Sequence, residues 1–125
     1  MLRLWNRDLN KTLNQTRLVA IQGVRFRIKK IDPFSYMDGS NAIAQIFQTY
    51  EQKREMSDPN IDKLKSHYRD VLLNGVIEPK LVRKQEDAVN GATFVDNLFT
   101  DWNLANGLYA AIIEYTYGKK KTLFF

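Results

Sequence analysis

Apolar and basic residues alternate from Val24 to Ile28 in the order Val24, Arg25, Phe26, Arg27, Ile28. A period of two puts Val24, Phe26 and Ile28 on the inner face of a strand and Arg25, Arg27 and Lys29 on the outer one. Thr16–Ile21 is a second apolar, β-branched run, and Gln22-Gly23 between the two suits a tight turn. Residues 16–29 therefore read as a β-hairpin. Its outward charges suit an exposed sheet edge, where they discourage pairing with other chains.

The period then changes to that of a helix. Asp32-Pro33 is a helix-start signal, with Asp as N-cap and Pro at the first helical position. Gly39 is expected to break that first turn and Ser40 to cap a longer helix. Ile43, Ile46, Phe47 and Tyr50 then form one apolar stripe. Ser57-Asp58-Pro59 starts a second helix, whose inner face carries Ile61, Leu64, Tyr68, Val71 and Leu72. Asn74-Gly75 is expected to end it, with Gly75 in the left-handed conformation. The segment "GVIEPKL" (residues 75–81) then reads as an extended connector covering the end of the helix pair, with Pro79 fixing its exit.

After a polar run, Asn90-Gly91 suggests a turn. A short helix follows, with Thr93 as N-cap, Asp96 in its first turn, and Phe94 and Leu98 inward. A closing helix runs from about Asn103 to Tyr117, with Leu104, Leu108, Ala111, Ile112 and Tyr115 on its inner face and Gly118 as its stop. Near the N-terminus, Leu2, Leu4, Trp5, Leu9 and Leu13 recur at helix-compatible spacing, in a segment that equally suits an arm ordering against a partner. The fold class is α+β and mostly helical: an N-terminal hairpin followed by about four helices. The division expected is an arm over 1–15, one domain over 16–118 and a tail over 119–125. Ile46, Phe47, Leu64, Tyr68, Ile112 and Tyr115 are expected to be buried together.

Composition narrows the function classes. The 125 residues include no cysteine, which removes disulfides, thiolate metal sites and cysteine nucleophiles. The N-terminus lacks the apolar run of a signal peptide, and no run is long enough to span a membrane. A cytoplasmic protein is expected. The net charge of +5 is uneven: residues 1–35 hold eight basic and two acidic side chains, residues 36–118 eight and twelve, and the tail three lysines. Basic ends can touch phosphate, but a solubilising role fits them better than a nucleic-acid interface does.

No residue pattern assembles a catalytic site. His67 is the sole histidine, has no cysteine to share a metal with, and reads as a surface residue. Asp58 and Asp62 complement a helix dipole, and Glu86-Asp87 reads as a solvated pair. The six glycines stand singly, so no loop cradles phosphate. The aromatic residues fit a core better than a base-stacking platform. A non-enzymatic binding or assembly role without cofactor or metal is expected. Candidate partner contacts lie at the ends: Leu4, Trp5 and Leu9 in the arm, and Lys119, Lys120, Lys121, Phe124 and Phe125 in the tail.

Taken in order, "FRIKKIDPFSYM", a helix pair, "VIEPKL", the polar "RKQED" run and "LANGLYAAIIEYTYGKKK" resemble the tail assembly chaperones of long-tailed bacteriophages. The resemblance covers about residues 24–118, through motifs that are each short and mostly apolar. It implies a small, mostly helical, non-enzymatic protein of the bacterial host's cytoplasm. Such a protein binds the tape measure protein, keeps it soluble, helps recruit tail tube protein subunits, and is absent from the mature virion. It also implies a longer product made by programmed frameshifting, for which the Lys119–Lys121 and Phe124-Phe125 codons are candidate slip sites. A homo-oligomer is compatible with it. The competing readings are a structural virion component, such as a tail-terminator or connector subunit, and a basic nucleic-acid-binding accessory protein.

Overall fold

The computed structural model describes residues 9–53 and 58–118. After a short helix α1 (Leu9–Leu13), strands β1 (Thr16–Ile21) and β2 (Val24–Lys29) form the expected antiparallel hairpin. Gln22 and Gly23 both take positive φ, 54° and 81°, as a two-residue turn that matches the twist of its strands requires. Asp32 caps a 3-10 turn (Pro33–Tyr36) by accepting from the Phe34 N–H, and helix α2 (Met37–Lys53) follows directly. Helix α3 (Asp58–Gly75) runs without a break into β3 (Val76–Glu78). Strand β4 (Leu81–Val82) pairs in parallel with β5 (Thr93–Phe94), a 3-10 helix spans Val95–Thr100, and α4 (Trp102–Tyr117) closes the chain up to Gly118. The fold is α+β and mostly helical.

The "VIEPKL" segment is more than a connector. Val76 pairs with Ile28 and Glu78 with Arg27, which makes a three-stranded antiparallel sheet in the order β1-β2-β3. β2 is therefore the central strand. The reading of Arg25, Arg27 and Lys29 as edge-protecting charges is corrected, because β3 occupies the edge they were expected to guard. The Glu78-Pro79 peptide is cis.

The main core lies between the inner sheet face, α3 and α4. Ile28, Val71, Leu72, Leu108 and Ile112 have no exposed surface. Gly75 is not left-handed. It remains helical where α3 crosses α4, and a Cβ there would come within 2.7 Å of the Ile112 side chain. Thr116 ties α4 to the sheet's exit: its hydroxyl donates to the Ile112 carbonyl at 2.8 Å and accepts from the Ile31 N–H at 3.1 Å.

Several local expectations change. Gly39 does not interrupt the helix; α2 passes through it. Phe47 is 39% exposed although Ile43 and Ile46 are buried. It stands about 100° round the helix from Ile46 and so falls on the flank of the buried stripe. Leu64 is half-buried. Tyr68, Ile112 and Tyr115 are buried, but only Ile112 and Tyr115 belong to the main core, so the six residues are not buried together as expected. The Tyr50 side chain lies outside what is described. Val24 is exposed at the turn end of the hairpin, while its cross-strand partner Ile21 packs against α4 at Gly107. Thr93 is no helix cap: its N–H donates to the Lys80 carbonyl in the β4–β5 pair, and Val95 is buried where Phe94 was expected. Asp101 caps α4 instead, accepting from the Leu104 N–H at 3.2 Å.

Candidate functional site

Of the expected partner contacts only Leu9 is among the described residues. It projects from α1 with 67% of its surface exposed, as does Leu13 at 69%. Leu4, Trp5, Lys119, Lys120, Lys121, Phe124 and Phe125 lie outside the described residues. Among the described residues, no cluster of His, Asp and Glu could hold a metal ion, and no helix is long and apolar enough to cross a membrane. One open depression, about 160 Å³ and lined by Ala42, Gln45, Ile46, Asn60 and Lys63, lies between α2 and α3. It is smaller than the few hundred Å³ usual for a small-molecule site.

His67 corrects the sequence reading most sharply. It is 6% exposed, not a surface residue. His67 stands at the edge of the stripe through Leu64, Tyr68 and Val71, about 40° round the helix from Val71, and α2 packs over that flank of α3. Gly39 makes this close approach possible, since a Cβ on it would collide with His67 Nδ1. His67 Nε2 lies 2.8 Å from the Tyr109 hydroxyl, which also bonds with Ser40. Tyr109 stacks on Tyr68 with ring centroids 4.0 Å apart, and the Tyr68 hydroxyl donates to Asn106 Oδ1 at 2.8 Å. The cluster thus pins α2 to α3 and α4, and its hydrogen-bond partners are protein groups.

Burial pushes the His67 pKa below its ordinary 6.5, with Asp70 pulling weakly the other way. Burial likewise raises the Tyr109 phenol to about 12. The folded protein therefore holds neutral His67, whereas the unfolded chain gains a proton near pH 6.5. Stability from this residue is complete above pH 6.5 and is lost as the pH falls below it, by no more than about 1.4 kcal/mol per pH unit. Between pH 7 and 5 the melting temperature should fall, and His67→Gln should flatten that slope. Equal slopes for the two proteins would contradict the assignment.

The other feature is the outer face of the sheet. Strand register sets Thr16, Leu18 and Ala20 of β1 beside Lys29, Arg27 and Arg25 of β2. Arg27 spans all the strands: it donates to Thr16 Oγ1 at 3.2 Å and approaches Glu78 of β3 at 3.5 Å. Arg25 and Lys29 are exposed and make no ion pair among the described residues, and Leu18 between them is 58% exposed. On the inner side, the Arg17 guanidinium instead lies over the Tyr115 ring, 4.3 Å from its centroid. Alternation in the sequence had placed these basic residues outward. Their setting on a central strand follows from β3, a pairing across nearly fifty residues that no local pattern shows.

No family model, no curated protein and no solved structure matches this chain.

Proposed function

We propose that the protein is a tail assembly chaperone of a long-tailed bacteriophage or prophage, binding the tape measure protein and assisting tail tube assembly without catalysis. The observation that carries this reading is the pairing of two stretches on which the resemblance rests. "FRIKK" and "VIEPKL" lie far apart in sequence, yet Ile28 pairs with Val76 and Arg27 with Glu78 as neighbouring strands of one sheet. Segments that recur in a fixed order are what a shared fold needs when they build one structural unit. The exposed apolar side chains of α1 and of the sheet's outer face add surface suited to a protein partner.

In this role the chain acts in the cytoplasm of the bacterial host and leaves before the particle is complete. Mass spectrometry of an infected-cell lysate and of purified particles tests this. The chain should be abundant in the lysate and missing from the particles. A fixed copy number in purified particles would make it a structural subunit instead.

A further inference from the structure

We propose that the outer face of the β1–β2–β3 sheet docks an acidic amphipathic helix of a partner protein, with Leu18 as the apolar contact and Arg25 and Lys29 as the charged ones. For the partner's identity this rests on the chaperone reading, under which the helix belongs to the tape measure protein.

The face has the dimensions for such an occupant. A strand of six residues is about 20 Å long, which about 13 residues of helix would cover. Arg25 and Lys29 stand about 13 Å apart along β2, with the Leu18–Arg27 pair between them. Arg27 is already engaged by Thr16 and Glu78, so among the described residues Arg25 and Lys29 carry the uncompensated charge of this face. An apolar centre between two free cations complements a helix that presents leucine-like side chains flanked by carboxylates.

Charge also decides against the nearer occupants. The segments outside the described residues at the two ends of the chain are basic: Arg3 and Arg7 against Asp8 at one, Lys119–Lys121 at the other. A second copy docking through the same face would set Arg25 and Lys29 against their own equivalents. Nucleic acid is the remaining polyanion. Sheets that read single strands stack bases on exposed aromatic rings. The sole aromatic residue of β1, β2 and β3 is Phe26, which is 3% exposed on the inner face, while Glu78 places a carboxylate on the outer one.

The test uses the full chain and three fluorescent probes: a synthetic amphipathic helix with a leucine face flanked by glutamates, the same peptide with lysines for glutamates, and a single-stranded oligonucleotide. The acidic peptide should bind, with affinity falling as salt is raised, and the lysine peptide should not. Arg25→Glu/Lys29→Glu and Leu18→Glu should each weaken acidic-peptide binding about tenfold or more at unchanged melting temperature. Lys63→Glu/Lys65→Glu, on the exposed side of α3, should leave it unchanged. Equal affinity for both peptides, no binding at all, or insensitivity to the sheet variants overturns the proposal. Tighter binding of the oligonucleotide overturns it in favour of a nucleic-acid surface. If the acidic peptide binds as expected but the tape measure protein is not captured, the docking surface stands and the chaperone reading fails.

Discussion

Replacing Ile112 by alanine is expected to destabilise the protein by about 2–5 kcal/mol, as truncation of a fully buried aliphatic side chain does. Ile112 has no exposed surface and sits where α4 meets the end of α3, so its neighbours cannot collapse into the space without moving two helices. For a chain of this size the loss corresponds to a fall in melting temperature of about 10 °C or more. Phe47→Ala is the informative contrast. A buried phenylalanine would cost about 3–5 kcal/mol on truncation. Phe47 lies on the flank of α2 with 39% of its surface exposed, and its loss should cost about 1 kcal/mol or less. Urea unfolding of both variants measures the difference. Equal losses would mean that α2 belongs to the same core as α4, against the layering described above.

The second large effect is at Gly75. A Cβ there would lie 2.7 Å from both the Cδ1 and Cγ2 atoms of Ile112. These atoms belong to a side chain with no exposed surface, so they have nowhere to swing. Gly75→Val should therefore cost about 1–3 kcal/mol by overpacking, despite removing a glycine from a helix. The cause is testable through its partner. In the double variant Gly75→Val/Ile112→Ala the valine fills part of the vacated space, and the two losses should fall short of additivity by about 0.5–3 kcal/mol. Strict additivity would show that the glycine is needed for some reason other than this crossing.

The parts of the fold that announced themselves in the sequence are those set by local chemistry. The hairpin follows from alternation plus Gln22-Gly23, the 3-10 turn from Asp32-Pro33, and the end of α4 from Gly118. What escaped was set by distant contact. Gly39 carries the local signal of a helix breaker, costing a helix roughly 1 kcal/mol relative to alanine, but its missing side chain is what lets α2 close on His67. Gly75 carries the signal of a left-handed cap, yet its missing side chain serves the approach of α4. His67 stands three residues after Leu64 and four before Val71, at the edge of the inner stripe, and its burial depends on which helix crosses that edge. The three residues of β3 are too few for an alternating pattern, and their partner lies in the hairpin. The candidate surface was half legible: the outward direction of Arg25 and Lys29 was, their place on a central strand was not.

Co-expression with the tape measure protein tests the functional reading most directly. The gene for a long, helix-rich protein from the same tail cluster is expressed alone, with this chain, and with the Ile112→Ala variant, and the partner is quantified in the supernatant and in a pull-down. The chaperone reading predicts a partner that is largely insoluble alone, recovered in the supernatant with the wild-type chain, and co-purified with it. A tape measure protein equally insoluble with and without this chain, and absent from the pull-down, would contradict it.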